Sequence, residues 1–468
     1  MKIVILGAGE TGFHIAKQLC FENEVILIDN DENACAKANE LDIQTIYGNG
    51  ANKKILEPAI EDAYFLIAVT GSDEVNMLAC MTAKLIQGTE LLKTMAIISN
   101  PDYIENIVDE KDIGFPSENN DTENKKLNFI PRRHIISHEK IGIDVMICPE
   151  LVLASEIADI LTIPSAIDAE YFADGKAEMM EFIIKSENEF VNKQIKDITL
   201  PNCCIISALF RNGNVIIPDG SDVVKENDHI VLIGKSESMN SIRETFGEVA
   251  GRKEKIMVIG AGMVGFYLAK LIKMRNMDIK IIEHDKKRCK YIAENFPSML
   301  VLFGDGTDVN LLKEEEVQNM DTVLSITNSD EKNLLCALLA KQLGAKKVIA
   351  RADRLEYTPL FEMVGVDIAI SPRKATLNEV FKFIKGTEAV TTIENEKAEL
   401  VEYIVKNKSK VKGKKINSIK FPKGALINLI IRGEITIVPK GEHVIEENDH
   451  IVVFSLPSVI KKVDALFK

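Results

Sequence analysis

Residues 1–12 read MKIVILGAGETG, and residues 255–265 repeat the pattern as KIMVIGAGMVG. Each copy has an apolar run, typical of a strand buried on both faces of a parallel sheet, followed by glycines spaced G-x-G-x-x-G. In the first copy the amphipathic segment FHIAKQLC comes next, so the pattern predicts a strand, a tight turn and a helix. Such a turn offers backbone N–H groups to a diphosphate at the positive end of a helix. The predicted binding residues are Gly7, Ala8, Gly9, Glu10, Thr11 and Gly12 in the first copy, and Gly260, Ala261, Gly262, Met263, Val264 and Gly265 in the second.

Each copy continues into a second predicted strand that ends in an acid. EVILID ends in Asp29, 22 positions after Gly7, and DIKIIE ends in Glu283, 23 positions after Gly260. At this spacing an acid reaches the adenosine ribose hydroxyls of a dinucleotide. It also repels a 2′-phosphate, which favours NAD(H), ATP or ADP over NADP. The alternative is that the glycines only form ordinary tight turns, but the recurrence of the whole arrangement argues against it.

The repeat extends beyond the glycine turns. YGNGANKKIL at 47–56 matches FGDGTDVNLL at 303–312, and AVTGSDEVNMLAC at 68–80 matches SITNSDEKNLLCA at 325–337. These segments follow predicted strands, so we expect them at the carboxyl edge of an open α/β sheet, which faces the ligand crevice. They could also cap the helices that follow, and both roles are compatible. The predicted crevice residues are Thr70, Gly71, Asp305 and Thr327, and the predicted caps are Ser72, Asp73, Ser329 and Asp330.

A different pair of matched segments follows each glycine-turn region. LFRNGNVIIPDGSDVVKENDHIVLIG at 209–234 matches IIRGEITIVPKGEHVIEENDHIVVFS at 430–455. Short β-branched runs separated by N-G, D-G, K-G and N-D turns predict small, largely antiparallel units. The predicted fold class is therefore α/β, with tandem Rossmann-like doubly wound parallel sheets, each followed by a small β-rich α+β domain. The predicted domains are 1–140, with a polar insertion near 111–140, then 141–248, 252–372 and 373–468.

Composition narrows the function classes. The 468 residues carry a net charge of −14, which argues against general nucleic-acid binding because that requires a basic surface. No apolar run approaches the roughly 18 residues that span a bilayer, and the first residues form a predicted strand rather than a signal peptide, so we expect a cytoplasmic protein. The eight cysteines form no C-x-x-C pair, and His134 and His138 lack a second nearby ligand pair. We therefore predict reduced thiols and no metal site.

The order of the motifs GAGETG, LID, YGNG, AVTGSDEVNM and IGIDVMICPE, repeated as GAGMVG, IIE, FGDG, SITNSDEKNL and VGVDIAISP, resembles the TrkA family. Its members are cytosolic regulatory subunits of Trk-type potassium uptake systems, and the resemblance covers nearly the whole chain. It implies two regulator-of-conductance (RCK) units that bind NAD(H) or ATP/ADP, one per Rossmann-like half. It also implies a ring-like homo-oligomer beneath a Trk-type membrane channel subunit, with the membrane reached only through that partner.

The halves differ at two positions that the resemblance makes important. Many members carry an arginine in the strand before a PxY segment, near the nucleotide phosphates. Aligning Tyr103 with Tyr357 places Arg351 opposite Ile97, so only the second half has it. The first half also has Asn49 where the second has Asp305. The two sites are thus predicted to differ in ligand affinity or identity, with the second better equipped for phosphate, unless Arg351 pairs with a neighbouring acid such as Asp353.

The predicted function is regulation rather than catalysis. Two sites in one chain allow a nucleotide to bias the arrangement of two rigid halves, and so to gate potassium flux through a separate membrane protein. One alternative is a regulator of a different ion transporter; another is a nicotinamide-dependent dehydrogenase, which shares the glycine turn. A dehydrogenase needs a proton donor near the nicotinamide. The recurring His229 and His450 sit at turn-to-strand positions instead, and we predict no catalytic residues.

Overall fold

A computed structural model describes residues 1–21, 23–39, 43–88, 91–100, 103, 135–138, 142–162, 168–173, 176–246, 253–273, 277–385, 390–393, 398–433 and 435–467. Most of the predicted polar insertion, and His134, lie outside these residues. The chain divides into two compact units. The first comprises Met1–Glu156 and Glu254–Val380, and the second comprises Ile157–Lys253 and Phe381–Lys468. The two α/β regions therefore share one unit, and the two small regions share the other.

The first half of the chain alternates strands and helices before it becomes mostly strand. Its strands are β1 Lys2–Leu6, β2 Glu24–Asp29, β3 Gln44–Tyr47, β4 Phe65–Ala68, β5 Lys93–Ile97, β6 Ile135–His138, β7 Ile143–Ile147, β8 Asp168–Phe172, β9 Ala177–Ile183, β10 Cys204–Arg211, β11 Asn214–Ile216 and β12 His229–Lys235. Its helices are α1 Glu10–Leu19, α2 Glu32–Asn39, α3 Lys53–Ile60, α4 Asp73–Gln87, α5 Pro149–Thr162 and α6 Ser236–Thr245.

The second half also alternates strands and helices before it becomes mostly strand. Its strands are β13 Glu254–Ile259, β14 Met277–Glu283, β15 Leu300–Phe303, β16 Thr322–Ser325, β17 Lys347–Arg351, β18 Ile368–Ile370, β19 Val390–Ile393, β20 Ala398–Ile404, β21 Ala425–Arg432, β22 Ile435–Ile437 and β23 His450–Ser455. Its helices are α7 Met263–Ile272, α8 Lys286–Asn295, α9 Val309–Glu314, α10 Asp330–Gln342, α11 Tyr357–Met363, α12 Pro372–Lys385 and α13 Ile460–Phe467.

The first sheet has the strand order β3-β2-β1-β4-β5-β7-β6 and is parallel except at β6. The apolar run of β1 explains its central place, because Ile3 to Leu6 are fully buried between β2 and β4. The predicted parallel pairing of the first strands is confirmed. The predicted boundary at residue 140 is too early, however, because β7 pairs in parallel with β5 and extends the sheet to Ile147.

The second sheet has the order β15-β14-β13-β16-β17-β18, and all of its pairings are parallel. In both sheets the strand before the glycine turn lies between the second and the fourth strand of its half. The strand order therefore runs one way from β1 to β3 and the other way from β4 onward, with the reversal between β1 and β4, and likewise between β13 and β16. Open α/β sheets bind ligands at this reversal, outside the carboxyl ends of the strands. The fold thus brings each glycine turn to the crevice that the sequence predicted.

The second compact unit contains two antiparallel sheets, ordered β11-β10-β12-β9-β8 and β19-β20-β23-β21-β22. Alternating residues of each sheet face a shared apolar core, which includes Phe210 and Val231 from one sheet and Leu429 and Phe454 from the other. Burying such side chains contributes about 1.5–3 kcal/mol each. The predicted fold class, with two parallel sheets each followed along the chain by a small β-rich domain, is confirmed.

Candidate nucleotide sites at the two glycine turns

The first and third glycines of each turn are required by the protein's own backbone. Gly7 has φ +104° and Gly260 has φ +107°, values that side-chain-bearing residues rarely adopt. A Cβ added to Gly12 would lie 1.9 Å from the carbonyl oxygen of Gly7, so the start of α1 can approach the turn only with glycine there. In the second half a Cβ added to Gly265 would lie 2.6 Å from the carbonyl oxygen of Gly260.

The middle glycine of each turn serves a different purpose. A Cβ on Gly9 would meet no atom within 4 Å, and one on Gly262 would have only the Asn328 side-chain oxygen, at 4.0 Å. Both glycines precede the first residue of a helix, whose leading N–H groups have no acceptor within the helix. The open space above the middle glycine is therefore the place where a diphosphate can reach these N–H groups.

The two predicted ribose-binding acids lie against their own glycine turns. The Asp29 carboxylate accepts hydrogen bonds from the N–H groups of Ala8 and Asp31. Glu283 accepts the N–H of Ala261 at 2.7 Å and those of His284 and Asp285 at 2.8 and 2.9 Å. Only 5% of Glu283 is exposed, so these amides compensate for most of the water it has lost. The geometry brings each acid to its turn, and contact with a ribose stays a prediction.

Replacing Glu283 with alanine is expected to lower the free energy of unfolding by about 2–3 kcal/mol, because three backbone N–H groups lose a charged acceptor. Urea denaturation of the purified protein measures this. The matched control is Glu294→Ala on the exposed face of α8, where only an i,i+4 pair with Lys290 is lost and about 0.5 kcal/mol or less is expected. Equal losses for the two variants would show that Glu283 does not hold the turn together.

Thr70 and Thr327 lie at the carboxyl ends of β4 and β16, where they were predicted, but their hydroxyls point to asparagines rather than into open space. Thr327 donates its N–H and its Oγ1–H to Oδ1 of Asn333 at 2.8 and 2.7 Å. Asn333 donates in turn to the carbonyls of Thr327 and Arg351, both at 2.9 Å. The side chain thus joins the ends of β16 and β17.

The first half repeats this arrangement with Asn76, which bonds Thr70 in the same way and donates to the Ile97 carbonyl at 2.8 Å. Ile97 and Arg351 are therefore structural equivalents, as the alignment on Tyr103 and Tyr357 predicted. Both asparagines are fully buried. The sequence analysis missed them, although they occupy matching positions in AVTGSDEVNM and SITNSDEKNL.

The loops after these strands also cap helices. Ser72 accepts the N–H of Val75 at the start of α4, and Ser329 accepts that of Lys332 at the start of α10, both at 3.3 Å. The predicted serine caps are thus present, next to the crevice. Gly71 lies in the same loop, and a Cβ there would meet nothing within 4 Å.

Asp305 and Asn49 make equivalent turns despite their different charge. Asp305 accepts the N–H and hydroxyl of Thr307, both at 2.9 Å, and these bonds lower the pKa of its carboxyl. Asn49 accepts the N–H of Ala51 at 2.9 Å. The backbone geometry is therefore shared, and the halves differ here by one negative charge.

Arg351 is engaged by an acid of its own half. Its Nε donates to Asp353 Oδ1 at 2.6 Å, its Nη2 donates to Asp353 Oδ2 at 3.2 Å, and its Nη1 reaches Asn328 Oδ1 at 3.2 Å. This is the pairing that the alternative interpretation described. A further cation that the sequence analysis missed is Arg288 on α8, whose Nε donates to the Ala261 carbonyl in the second glycine turn at 2.7 Å.

The remaining predicted residues occupy the first positions of α1 and α7. Val264 is buried, whereas Glu10 is exposed. Thr11 and Met263 are partly exposed beside them. Within the part of the chain that the structure describes, no three metal-binding side chains come together, and no helix has both the length and the apolar character that crossing a membrane requires.

Comparison with known proteins supplies the family context. The TrkA-N domain matches residues 3–114 and 256–372, and the TrkA-C domain matches residues 179–247 and 400–468. The Trk system potassium uptake protein TrkA homolog 1 of Methanosarcina mazei is 52% identical, with both chains covered in full. The Trk system potassium uptake protein TrkA of Haemophilus influenzae is 32% identical over 100% of this chain and 99% of its own.

Two solved structures share the fold. The crystal structure of the GsuK RCK domain has a TM-score of 0.60 and 16% identity, covering 100% of this chain and 94% of the other. The GsuK channel bound to NAD gives the same TM-score and identity, covering 100% of this chain and 78% of the other. At this identity the likeness establishes the tandem RCK fold.

Proposed function

The chain belongs to the TrkA family, and we propose that it is a nucleotide-binding regulatory subunit that controls potassium uptake through a separate membrane protein. The observation that carries the proposal is the doubled glycine turn, which is open above its middle glycine. In each half an acid lies against the turn, and its spacing from the first glycine is the one at which an acid reaches the ribose hydroxyls of a dinucleotide. Relatives named as potassium uptake proteins, one of them 52% identical, support the transport role.

Each half binds one NAD(H), ATP or ADP in this proposal. The leading N–H groups of α1 and α7 hold the diphosphate, and Asp29 and Glu283 accept the ribose hydroxyls. NAD(H), ATP and ADP compete because they share the adenosine diphosphate that these groups recognise. A solved channel of the same fold is described as bound to NAD, which is consistent with this ligand class.

In this proposal, regulation arises because a nucleotide binds different arrangements of the two halves with different affinities. A nucleotide that fits one arrangement of the two halves better than another shifts the population toward it, and such couplings are typically about 1–3 kcal/mol. In this proposal a ring of identical chains at the cytoplasmic face transmits the change to a Trk-type membrane subunit. The chain reaches the membrane only through that subunit.

Potassium flux into vesicles that contain a reconstituted Trk-type membrane subunit tests the proposal. The flux is measured alone, with the chain, and with the chain plus NADH, ATP or ADP in turn. We expect the chain to change the flux and at least two nucleotides to give different rates. One rate under all of these conditions would refute the regulatory role.

A further inference from the structure

The glycine turn of the first half contacts the second half within the first compact unit. Glu10, the first residue of α1, forms an ion pair with Arg373, the second residue of α12. One helical turn further along α1, His14 Nε2 lies 3.8 Å from Glu356 Oε1. The face of α1 that adjoins the predicted diphosphate position is therefore also a contact with the other half.

A cavity of about 320 Å³ opens beside this ion pair, lined on the other side by acids and arginines of the second half. Those acids already have partners there. Asp353 pairs with Arg351, Asp330 accepts the backbone N–H of Asp353 at 2.7 Å, and Glu331 accepts the Ser329 hydroxyl at 3.0 Å. Their negative charge is thus partly compensated within their own half.

The arginines are placed differently. Arg354 lies over the Tyr357 ring and donates to its hydroxyl at 3.0 Å. The charged partner of Arg373 is Glu10, which belongs to the other half. A guanidinium has five N–H donors in a planar fork, so Arg373 can keep Glu10 and bind a phosphate oxygen together.

The equivalent pair of positions, at which the first half would meet the second glycine turn, carries different charges. Arg373 follows the proline that starts α12, and the matching residue of the first half, after the proline that starts α5, is Glu150. In the second turn Met263 replaces Glu10. Burial raises the pKa of Glu150, and the nearby charge of Arg351 in the other half partly opposes that rise. The first glycine turn therefore has a cation of the other half, Arg373, beside it. The second half instead has an acid of the other half, Glu150, near its own Arg351.

We propose that Arg373 of the second half is a binding residue of the first half's nucleotide site, where it contacts the phosphates held by the Gly7–Gly12 turn. It supplies the positive charge that the first half lacks at Ile97. Nucleotides with a terminal phosphate, such as ADP and ATP, gain most, because that group carries more negative charge than the doubly esterified diphosphate of NAD(H). The inference rests on the proposed nucleotide binding by the first half.

The test uses ADP calorimetry on the full-length chain carrying Gly262→Ala, which weakens binding at the second turn so that the tighter binding measured is that of the first. Against that background, Arg373→Gln is expected to weaken ADP binding about tenfold, through loss of a charge-assisted contact and exposure of the phosphate to an uncompensated Glu10. Glu10→Gln is expected to tighten binding two- to fivefold, because it removes an acid and frees Arg373.

Opposite signs for the two substitutions are the result that we expect if Arg373 acts on the bound phosphate. If the ion pair served only to join the halves, both substitutions would break it and would change ADP affinity in the same direction or not at all; either result overturns the inference. If the Gly262→Ala chain bound no ADP although wild type did, the first half would have no site. That outcome would refute the proposed function for this half, and the inference with it.

Discussion

A Gly9→Ala chain is expected to be as stable as the wild type and to bind NADH, ATP or ADP at its first turn about 10- to 100-fold more weakly. Gly9 has φ −60°, which alanine adopts without strain, and the added Cβ would meet no atom of the protein within 4 Å. The same methyl group would occupy the space through which a diphosphate approaches the turn. Forcing atoms into such a space typically costs about 1–3 kcal/mol, which gives the expected loss of affinity.

Gly12→Ala is the matched control, three residues further along the same turn. Its Cβ would lie 1.9 Å from the Gly7 carbonyl oxygen, so we expect a loss of about 1–3 kcal/mol in stability. Alanine is otherwise the better helix residue, which makes a loss attributable to this contact. Thermal unfolding and calorimetry of both variants separate the two effects. A Gly9→Ala chain that bound nucleotide as tightly as the wild type would exclude diphosphate binding over this glycine.

Asn333→Leu is expected to lower the free energy of unfolding by about 3–5 kcal/mol, the largest stability effect we predict for a single side chain. Asn333 is fully buried and accepts the N–H and hydroxyl of Thr327 while donating to the carbonyls of Thr327 and Arg351. Leucine has nearly the same shape but leaves several of these buried groups without a partner, at about 1–3 kcal/mol each before relaxation.

Asn295→Ala is the control for this second prediction. Asn295 lies at the exposed end of α8, and among the residues that the structure describes its side chain donates to the Tyr291 carbonyl of its own helix, so about 0.5 kcal/mol or less is expected. Chemical denaturation of the two variants gives both values. A loss below 1 kcal/mol for Asn333→Leu would mean that the ends of β16 and β17 do not depend on this side chain.

The parts of the fold predicted correctly are those with local signals. Within each half, the apolar first strand, the glycine spacing and the acid (Asp29 or Glu283) lie within about 30 residues of one another, and each constrains the backbone directly. Because the strand, glycine turn and acid recur, the second α/β domain could be predicted by the same argument as the first. Thr70 and Thr327 were placed correctly at strand ends, but the buried asparagines that hold them were missed because the matched positions were weighed only as crevice or cap residues.

The features that were not predicted depend on distant contacts. Nothing near Glu10 in the sequence indicates Arg373 as its partner, since the two meet only when both sheets have formed. Alternation in the small domains shows that Phe210 and Phe454 face a core, but not that both face the same one. The insertion between β5 and β7 likewise concealed that β7 returns to the first sheet, which made the predicted boundary at 140 too early.

The most direct test of two nucleotide sites in one chain is the number of nucleotides bound per chain, measured by calorimetry with ADP and with NADH. We predict two sites of wild-type affinity for the wild type, one for Gly9→Ala, one for Gly262→Ala and none for the double variant, because each substituted turn binds about 10- to 100-fold more weakly. Binding by the double variant with wild-type stoichiometry and affinity would contradict this, because the nucleotide would then bind away from both glycine turns.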